Sequence, residues 1–163
     1  MEIKSGLRWK GRIRIEKFAE GVDPATGTPY EVVECGNLAL TAGMNEIWKL
    51  VTGQGGTAFT NANALIGIGD STAAPAAGQT DLQAATNKTY IAMNGGYPTV
   101  PASGQVQFQA TFGSAQANYA WNEAVVKNNT SGICLNRTTN GGTGFGTKVA
   151  GTTWTTTFTL SLS

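Results

Sequence analysis

The residues in this chain that could do chemistry are few, and the first question is what they lack. Gly69-Asp70-Ser71 has the look of a hydrolase triplet, and Asp70, Asp81 and Glu123 are carboxylates in a stretch otherwise poor in charge. The chain contains no histidine. A serine or cysteine nucleophile needs a base that takes its proton near neutral pH, and imidazole is the usual one. His-ligated zinc sites are excluded for the same reason. Paired carboxylates could in principle hydrolyse glycosides. Glu123, set between Trp121 and Val125, reads more simply as a solvated strand residue or a structural ion pair. Asp70 and Asp81 could offer oxygen to calcium, but no DxDxDG loop surrounds them. Gly67-Ile68-Gly69 lacks the third glycine and the following helix of a dinucleotide site. These patterns point to a non-enzymatic protein with no cofactor and no metal.

Two surfaces offer binding chemistry instead. Arg8, Lys10, Arg12 and Arg14 alternate with apolar residues, so one strand face carries four cations. Such a face could grip phosphates beside Trp9. Glu2, Glu16, Glu20, Glu31 and Glu34 neutralise it, with Glu31 and Glu34 expected near the cations. A self-neutralising face, or an electrostatic seam with a partner, is the reading adopted. Separately, Tyr97, Tyr119 and Trp121 could line a sugar platform, although Trp121 could equally belong to the core.

Composition sets the frame for these residues. The chain has 163 residues, room for one β-rich domain with a sizeable core. Charged residues make up 13%, about half the usual share. Residues 1–50 hold 14 of the 21 charges, seven of each sign. The result is a charged N-terminal hairpin (7–35) and a charge-poor body (53–163). So little surface charge disfavours a solitary chain and favours assembly. Net charge is +1, so no long-range field recruits nucleic acid or an anionic membrane. No apolar run reaches membrane-helix length, and the first residues lack the apolar core of a signal peptide. Asn-X-Ser/Thr sequons at Asn87, Asn128, Asn129 and Asn136 are discounted on that ground. Cys35 and Cys134 are expected as two free, part-buried thiols in a reducing cytoplasm. A disulfide between them stays open.

The elements follow from periodicity. In TTWTTTFTLSLS (152–163), Trp154, Phe158, Leu160 and Leu162 share one parity and Thr155, Thr157, Thr159 and Ser161 the other. That is a strand with one buried and one wet face. Residues 105–112 alternate the same way, with Val106, Phe108, Ala110 and Phe112 inward. In residues 7–18, Leu7, Trp9, Ile13 and Ile15 oppose the cations. Further strands are expected at 30–35, 64–68, 88–93, 119–126 and 132–137. One helix is expected over 42–52, with Thr41 as N-cap, Gly53 as C′ and Met44, Ile47, Trp48 and Val51 as its apolar stripe. Residues 53–63, 69–81, NGGYPTVPASG and TTNGGTGFG read as loops. About eight strands with frequent turns predict an antiparallel β-sandwich or barrel.

Several segments together resemble a known family. GLRWKGRIRIEKF followed by EVVECGNLALTAGMNEIWKLV is similar to the opening of small tailed-bacteriophage virion structural proteins, including an Asn37-Leu38…Thr41-Ala42-Gly43-Met44-Asn45 helix entry. LIGIGDSTAAPAAGQTDLQA resembles their GxGxxxxAPxxxxTxL segment, carried here by Gly67, Gly69, Ala74, Pro75, Thr80 and Leu82. QVQFQATF…ANYAWNEAVV and the closing TTWTTTFTLSLS also resemble their later strands. The resemblance implies a virion component of the head-decoration, neck or tail-appendage class. It brings no catalytic residues. The partners it implies are the major capsid protein or other virion proteins, and further copies of the chain, a trimer being favoured. Head decoration ranks first, a neck or tail adaptor or fibre protein second, and a carbohydrate-binding module is the rival from another class.

Overall fold

The computed structural model describes residues 8–162; Glu2, Leu7 and Ser163 of the sequence reading lie outside them. In chain order the elements are β1 (Trp9–Phe18), β2 (Glu31–Ala39), α1 (Thr41–Thr52), β3 (Ala64–Gly69), β4 (Lys88–Ala92), β5 (Gln105–Phe112), β6 (Ala120–Trp121), β7 (Glu123–Asn128), β8 (Cys134–Thr138), a 3₁₀ turn at Asn140–Gly142, β9 (Gly146–Thr147) and β10 (Thr153–Leu162). Eight strands form one antiparallel sheet in the order β4-β3-β7-β8-β2-β1-β10-β5. The sheet is nearly closed into a barrel. β6 and β9 make a separate two-stranded ribbon.

The two longest strands form the spine. β1 and β10 pair over ten residues, from Trp9 opposite Leu162 to Phe18 opposite Thr153. Their shared parity sends Ile13, Ile15, Trp154, Phe158 and Leu160 into the barrel, each at most 2% exposed. β5 adds Phe108, Ala110 and Phe112 from the far side of β10. Trp121 stands between Phe112 and Trp154, with both ring centroids 4.7 Å away in edge-to-face contact.

The sheet's two edges meet through the connector after β4. The Asn94 N–H donates to Gln109 O at 2.8 Å, and Thr99 and Gln107 exchange both backbone bonds. The connector thus runs along the edge of β5 and covers it, which removes one template for unwanted strand pairing.

Three departures from the sequence reading have clear causes. The strand expected at 119–126 is two strands, broken at Asn122. There the backbone N–H of Asn122 bonds Gly69 O and its side-chain amide bonds Asp70 O. The loop expected at 138–146 contains the 3₁₀ turn and part of β9, and it buries Phe145. The N-cap of α1 is Leu40, not Thr41, and no side chain caps it. Gly53 does end the helix in the left-handed region, at φ 67°.

The packing face of α1 also differs. Gly43 and Glu46 are its buried residues, while Trp48 and Val51 are 58% and 70% exposed. The buried stripe is thus 43-46-47, about 100° around the helix from the expected one. Gly43 explains the rotation. A Cβ there would lie 2.5 Å from Leu135 Cα, so the helix backbone rests directly on β8. Glu46 is turned in because its carboxylate accepts the Thr57 N–H at 2.6 Å, which anchors the loop following the helix.

Candidate functional site

The outer face of β2, β1, β10 and β5 carries the candidate site. Residues inside the barrel alternate with residues that point to water, so the register fixes rows across four strands. One row is Glu34, Arg14, Thr157, Gln109; the next is Gly36, Arg12, Thr159, Gln107; a third is Val32, Glu16, Thr155, Thr111. The β10–β5 half is a ladder of neutral polar pairs. Gln107 Nε2 donates to Thr159 Oγ1 and Gln109 Nε2 to Thr157 Oγ1, both at 3.1 Å, and the Thr111 and Thr155 hydroxyls lie 3.0 Å apart.

The β2–β1 half is charged. Glu34 accepts from Arg14 Nη1 at 2.9 Å and from Arg12, while Arg14 Nη2 reaches Glu16 at 3.0 Å. Arg14 and then Arg12 hold the Glu34 carboxyl below its ordinary pKa. Glu16 and then Glu34 raise Arg14. These are exposed pairs, which fix side-chain direction more than they stabilise the fold. Lys10 and Arg8 are exposed alongside. Two shallow depressions flank the ladder. One is edged by Lys10 and Arg12, the other by Glu16 and Asp23. The face is therefore hydrogen-bonding, cationic at one end and acidic at the other.

Five of the six expected contact residues meet on this face or at its margin: Arg8, Lys10, Arg12, Arg14 and Glu34. Glu31 does not. It lies opposite Lys17, on the inward parity, and bonds Lys17 Nζ at 2.9 Å. Lys17 itself is 3% exposed, with its ammonium 4.6 Å from the Trp154 ring centre. Parity alone separates Glu31 from Glu34, three residues apart.

The aromatic platform is not assembled as exposed rings. Trp121 is fully buried, and its indole N–H donates to Ala117 O at 2.8 Å. The Tyr119 hydroxyl is within hydrogen-bonding distance of Ile68 O and Thr89 Oγ1, and burial raises its pKa. Tyr97 is part-buried against the barrel core, next to a cis Tyr97–Pro98 bond.

The carboxylates of the body are all engaged. Glu123 and Arg137 form a bridge with both side chains fully buried. Glu123 also accepts the N–H groups of Gln83 and Ala84, and Arg137 donates to Gln79 Oε1 and Ala73 O. Asp81 accepts from Lys127, from the Tyr90 hydroxyl at 2.6 Å and from the Leu82 N–H at 2.8 Å. Burial pushes the Asp81 carboxyl up, but these donors outweigh it and hold it below the ordinary range. Asp70 accepts from the Asn87 amide at 2.6 Å. Together these bonds lay residues 70–87 as a strap over the outer face of β7 and β8, with Leu82, Leu40, Val125 and Cys134 as a small second core. Sequence reasoning missed the strap. Its signal in the sequence was the unbroken apolar run Ala124-Val125-Val126, the pattern of a strand covered on both faces, and all three residues are fully buried.

Ser71 Oγ accepts the Ala73 N–H at 3.2 Å, a turn contact. Among the described residues no group of three or more His, Cys, Asp or Glu side chains is placed to hold a metal ion. Both cysteines are free thiols. Cys35 Sγ lies 3.4 Å from Thr138 Oγ1, and Cys134 Sγ faces Asp81. No helix among the described residues is long and apolar enough to cross a membrane. No family model matches the chain, and no curated protein or solved structure matches it.

Proposed function

We propose that the protein is a phage virion structural protein, a capsid decoration protein that binds the assembled head and stabilises it. The observation that carries this reading is the outer face of β2, β1, β10 and β5. It is rigid because every strand in it is paired over most of its length. Its groups are pre-oriented by cross-strand bonds, so little side-chain entropy is lost when a partner docks. Its two ends have opposite charge, which sets orientation and register against a surface of complementary pattern. The sequence resemblance supplies the context of a virion.

The mechanism is mass action. A subunit that binds only the intact shell stabilises that state by its own binding free energy. Arrays of such sites make modest contacts sufficient, particularly when copies are linked to one another. No step requires a base, a metal or a cofactor. The mixed signs of the face disfavour nucleic acid, since Glu16 and Glu34 sit among the arginines.

A first test is the copy number of the chain in purified particles, measured by quantitative mass spectrometry against the major capsid protein. Hundreds of copies are expected. About a dozen would assign the chain to the neck or tail, as an adaptor or fibre component. None would discard the virion reading and send the protein to a glycan array. The second test is Arg12→Glu with Arg14→Glu. Attachment should weaken and become less salt-sensitive while the fold persists; normal incorporation of this variant would mean that another face binds the shell.

A further inference from the structure

The barrel is not filled at the end where β1 begins and β10 ends. Trp9, Val106, Leu160 and Leu162 hold inward positions there, yet they surround a cavity of about 410 Å³ instead of closing on one another. Phe108, one inward step beyond Val106, lines it deeper in and meets Phe59 edge-on, with ring centroids 6.3 Å apart. Ile47 and Leu50, one turn apart on α1, complete the wall. The lip has a different chemistry. The register places Lys10, Ser161 and Gln105 in one row across β1, β10 and β5, on the outward parity. Ser161 and Gln105 line the apolar cavity and also the shallow depression outside it that Lys10 and Arg12 edge. The two hollows adjoin across that row.

We infer that this end of the barrel binds a single-chain anionic amphiphile of the fatty-acid class, its alkyl chain in the cavity and its carboxylate on the Lys10–Ser161–Gln105 row. Three arguments support that occupant. The first is architecture. An eight-stranded barrel is wide enough to hold one small ligand, and its mouth is where such a ligand enters. The cavity falls in the range of about 300–1,000 Å³ usual for small-molecule sites. The second concerns the alkyl chain. No charged side chain lines the cavity, so a charged group carried into it would lose its water and gain no counter-ion. Only the apolar part of a ligand belongs there. The third concerns the head group. The row at the lip offers an ammonium, a hydroxyl and an amide, and no carboxylate lines either hollow. Arg12 is already committed to Glu34. Lys10 is exposed and forms no salt bridge among the described residues. The uncommitted charge next to the apolar cavity is therefore positive, and it selects an anionic head.

Tail and head make separable contributions. Each methylene that leaves water for the cavity should tighten binding about fourfold. The head group sits at an exposed lip, where an ion pair adds only a small factor. Chain length therefore reports the cavity, and head-group charge reports Lys10. This inference stands without the shell-binding reading, because it concerns the isolated protein.

The test is isothermal titration calorimetry of the purified full-length chain with octanoate, decanoate and dodecanoate, each kept below its micelle concentration. Each two-carbon step should lower Kd about 15-fold. Lys10→Glu should weaken decanoate at least about threefold and leave decanol unchanged. Leu50→Glu sets a charge in the cavity wall and should abolish binding of both. Leu50 is 39% exposed, and circular dichroism melts confirm that the variant is folded. Arg14→Glu should leave decanoate binding intact, so failure of the shell-binding face and failure of this site give different results. A wild type that binds none of the three alkanoates would overturn the inference and leave the cavity to a second copy or to residues 1–7. Affinity that ignores chain length, or survives Leu50→Glu, would place the alkyl chain elsewhere and overturn it as well. Equal effects of Lys10→Glu on decanoate and decanol would overturn the head-group assignment. Binding to vesicles of anionic phospholipid without binding of any monomeric alkanoate would point to a membrane surface and likewise overturn the site.

Discussion

Glu123 and Arg137 have no water to fall back on, so each depends on the other and on the strap bonded to them. Removing one partner leaves the other charge buried and uncompensated, which costs about 3–5 kcal/mol. Glu123→Leu is expected to destabilise by that amount in urea unfolding. The double variant Glu123→Leu with Arg137→Leu should cost less than the single one, because two apolar side chains carry no stranded charge. Equal or larger loss in the double variant would mean that the bonds to Gln83, Ala84 and Ala73 outweigh the pair. Asp81 and Glu34 give a pH test. Both carboxyls are held below their ordinary values of 3.8 and 4.5. In the window between each ordinary value and the depressed one, the unfolded chain binds more protons than the folded chain. Stability is therefore fully present above the ordinary values and falls as pH drops through the depressed ones. A melting temperature that does not decline below about pH 4 would contradict both assignments. Replacing Asp81 with Asn should flatten part of that decline. At this scale the sequence disclosed the absence of imidazole chemistry and the candidate carboxylates. It could not disclose their partners: Asp81 and Lys127 are 46 residues apart, and only the strap brings them together.

Periodicity works where an element has one dry side and one wet side. β5 and β10 meet that condition: Phe108, Ala110, Phe112, Trp154, Phe158 and Leu160 are buried as the alternation names them, while Leu162, at the open end of β10, is 44% exposed. β7 does not, because residues 70–87 cover its second face, and its sequence loses the period. The helix is a subtler case. Hydrophobicity nominates Met44, Ile47, Trp48 and Val51, whereas packing is decided by the smallest residue, Gly43, and by a carboxylate that an adjoining loop requires. Two substitutions separate these influences. Thr41→Ala should change stability by no more than about 0.5 kcal/mol, since Thr41 caps nothing; a loss near the usual 1 kcal/mol of an N-cap would restore it to that role. Gly43→Ala should destabilise despite alanine's helix propensity advantage of about 1 kcal/mol. Its Cβ would meet the Leu135 backbone, which has no side-chain torsion with which to yield, and overpacking of this kind costs about 1–3 kcal/mol. Thermal melts measure both, and a stabilised Gly43→Ala would show that α1 can ride outward from β8 at no expense.

A sheet of eight strands nearly closed into a barrel is no stronger than the line along which it comes closest to closing. Seven of the eight junctions are ladders between named strands. The eighth, between β4 and β5, is held instead by the connector at Asn94 and Thr99. Asn94 does most at this seam: its N–H bonds Gln109 O, and its side-chain amide donates to Gln109 Oε1 and Thr111 Oγ1, each at 2.9 Å. The Asn61 amide ties Asn94 O and Tyr97 O to the loop after α1. A junction with so few bonds should open before the β1–β10 spine does, as local units of low stability generally do. Asn94→Ala removes the two side-chain bonds while keeping the backbone one. Loss of two such bonds costs about 1–3 kcal/mol. Native-state hydrogen exchange should then show faster exchange at Asn94, Thr99 and Gln107, with the amides of Ile13 and Phe158 keeping their wild-type rates under conditions where local opening dominates. Uniform acceleration across all five would mean that the barrel opens only as a whole. In that case the connector is an integral ninth stave, and closure, like the strap over β7, belongs to the cooperative core.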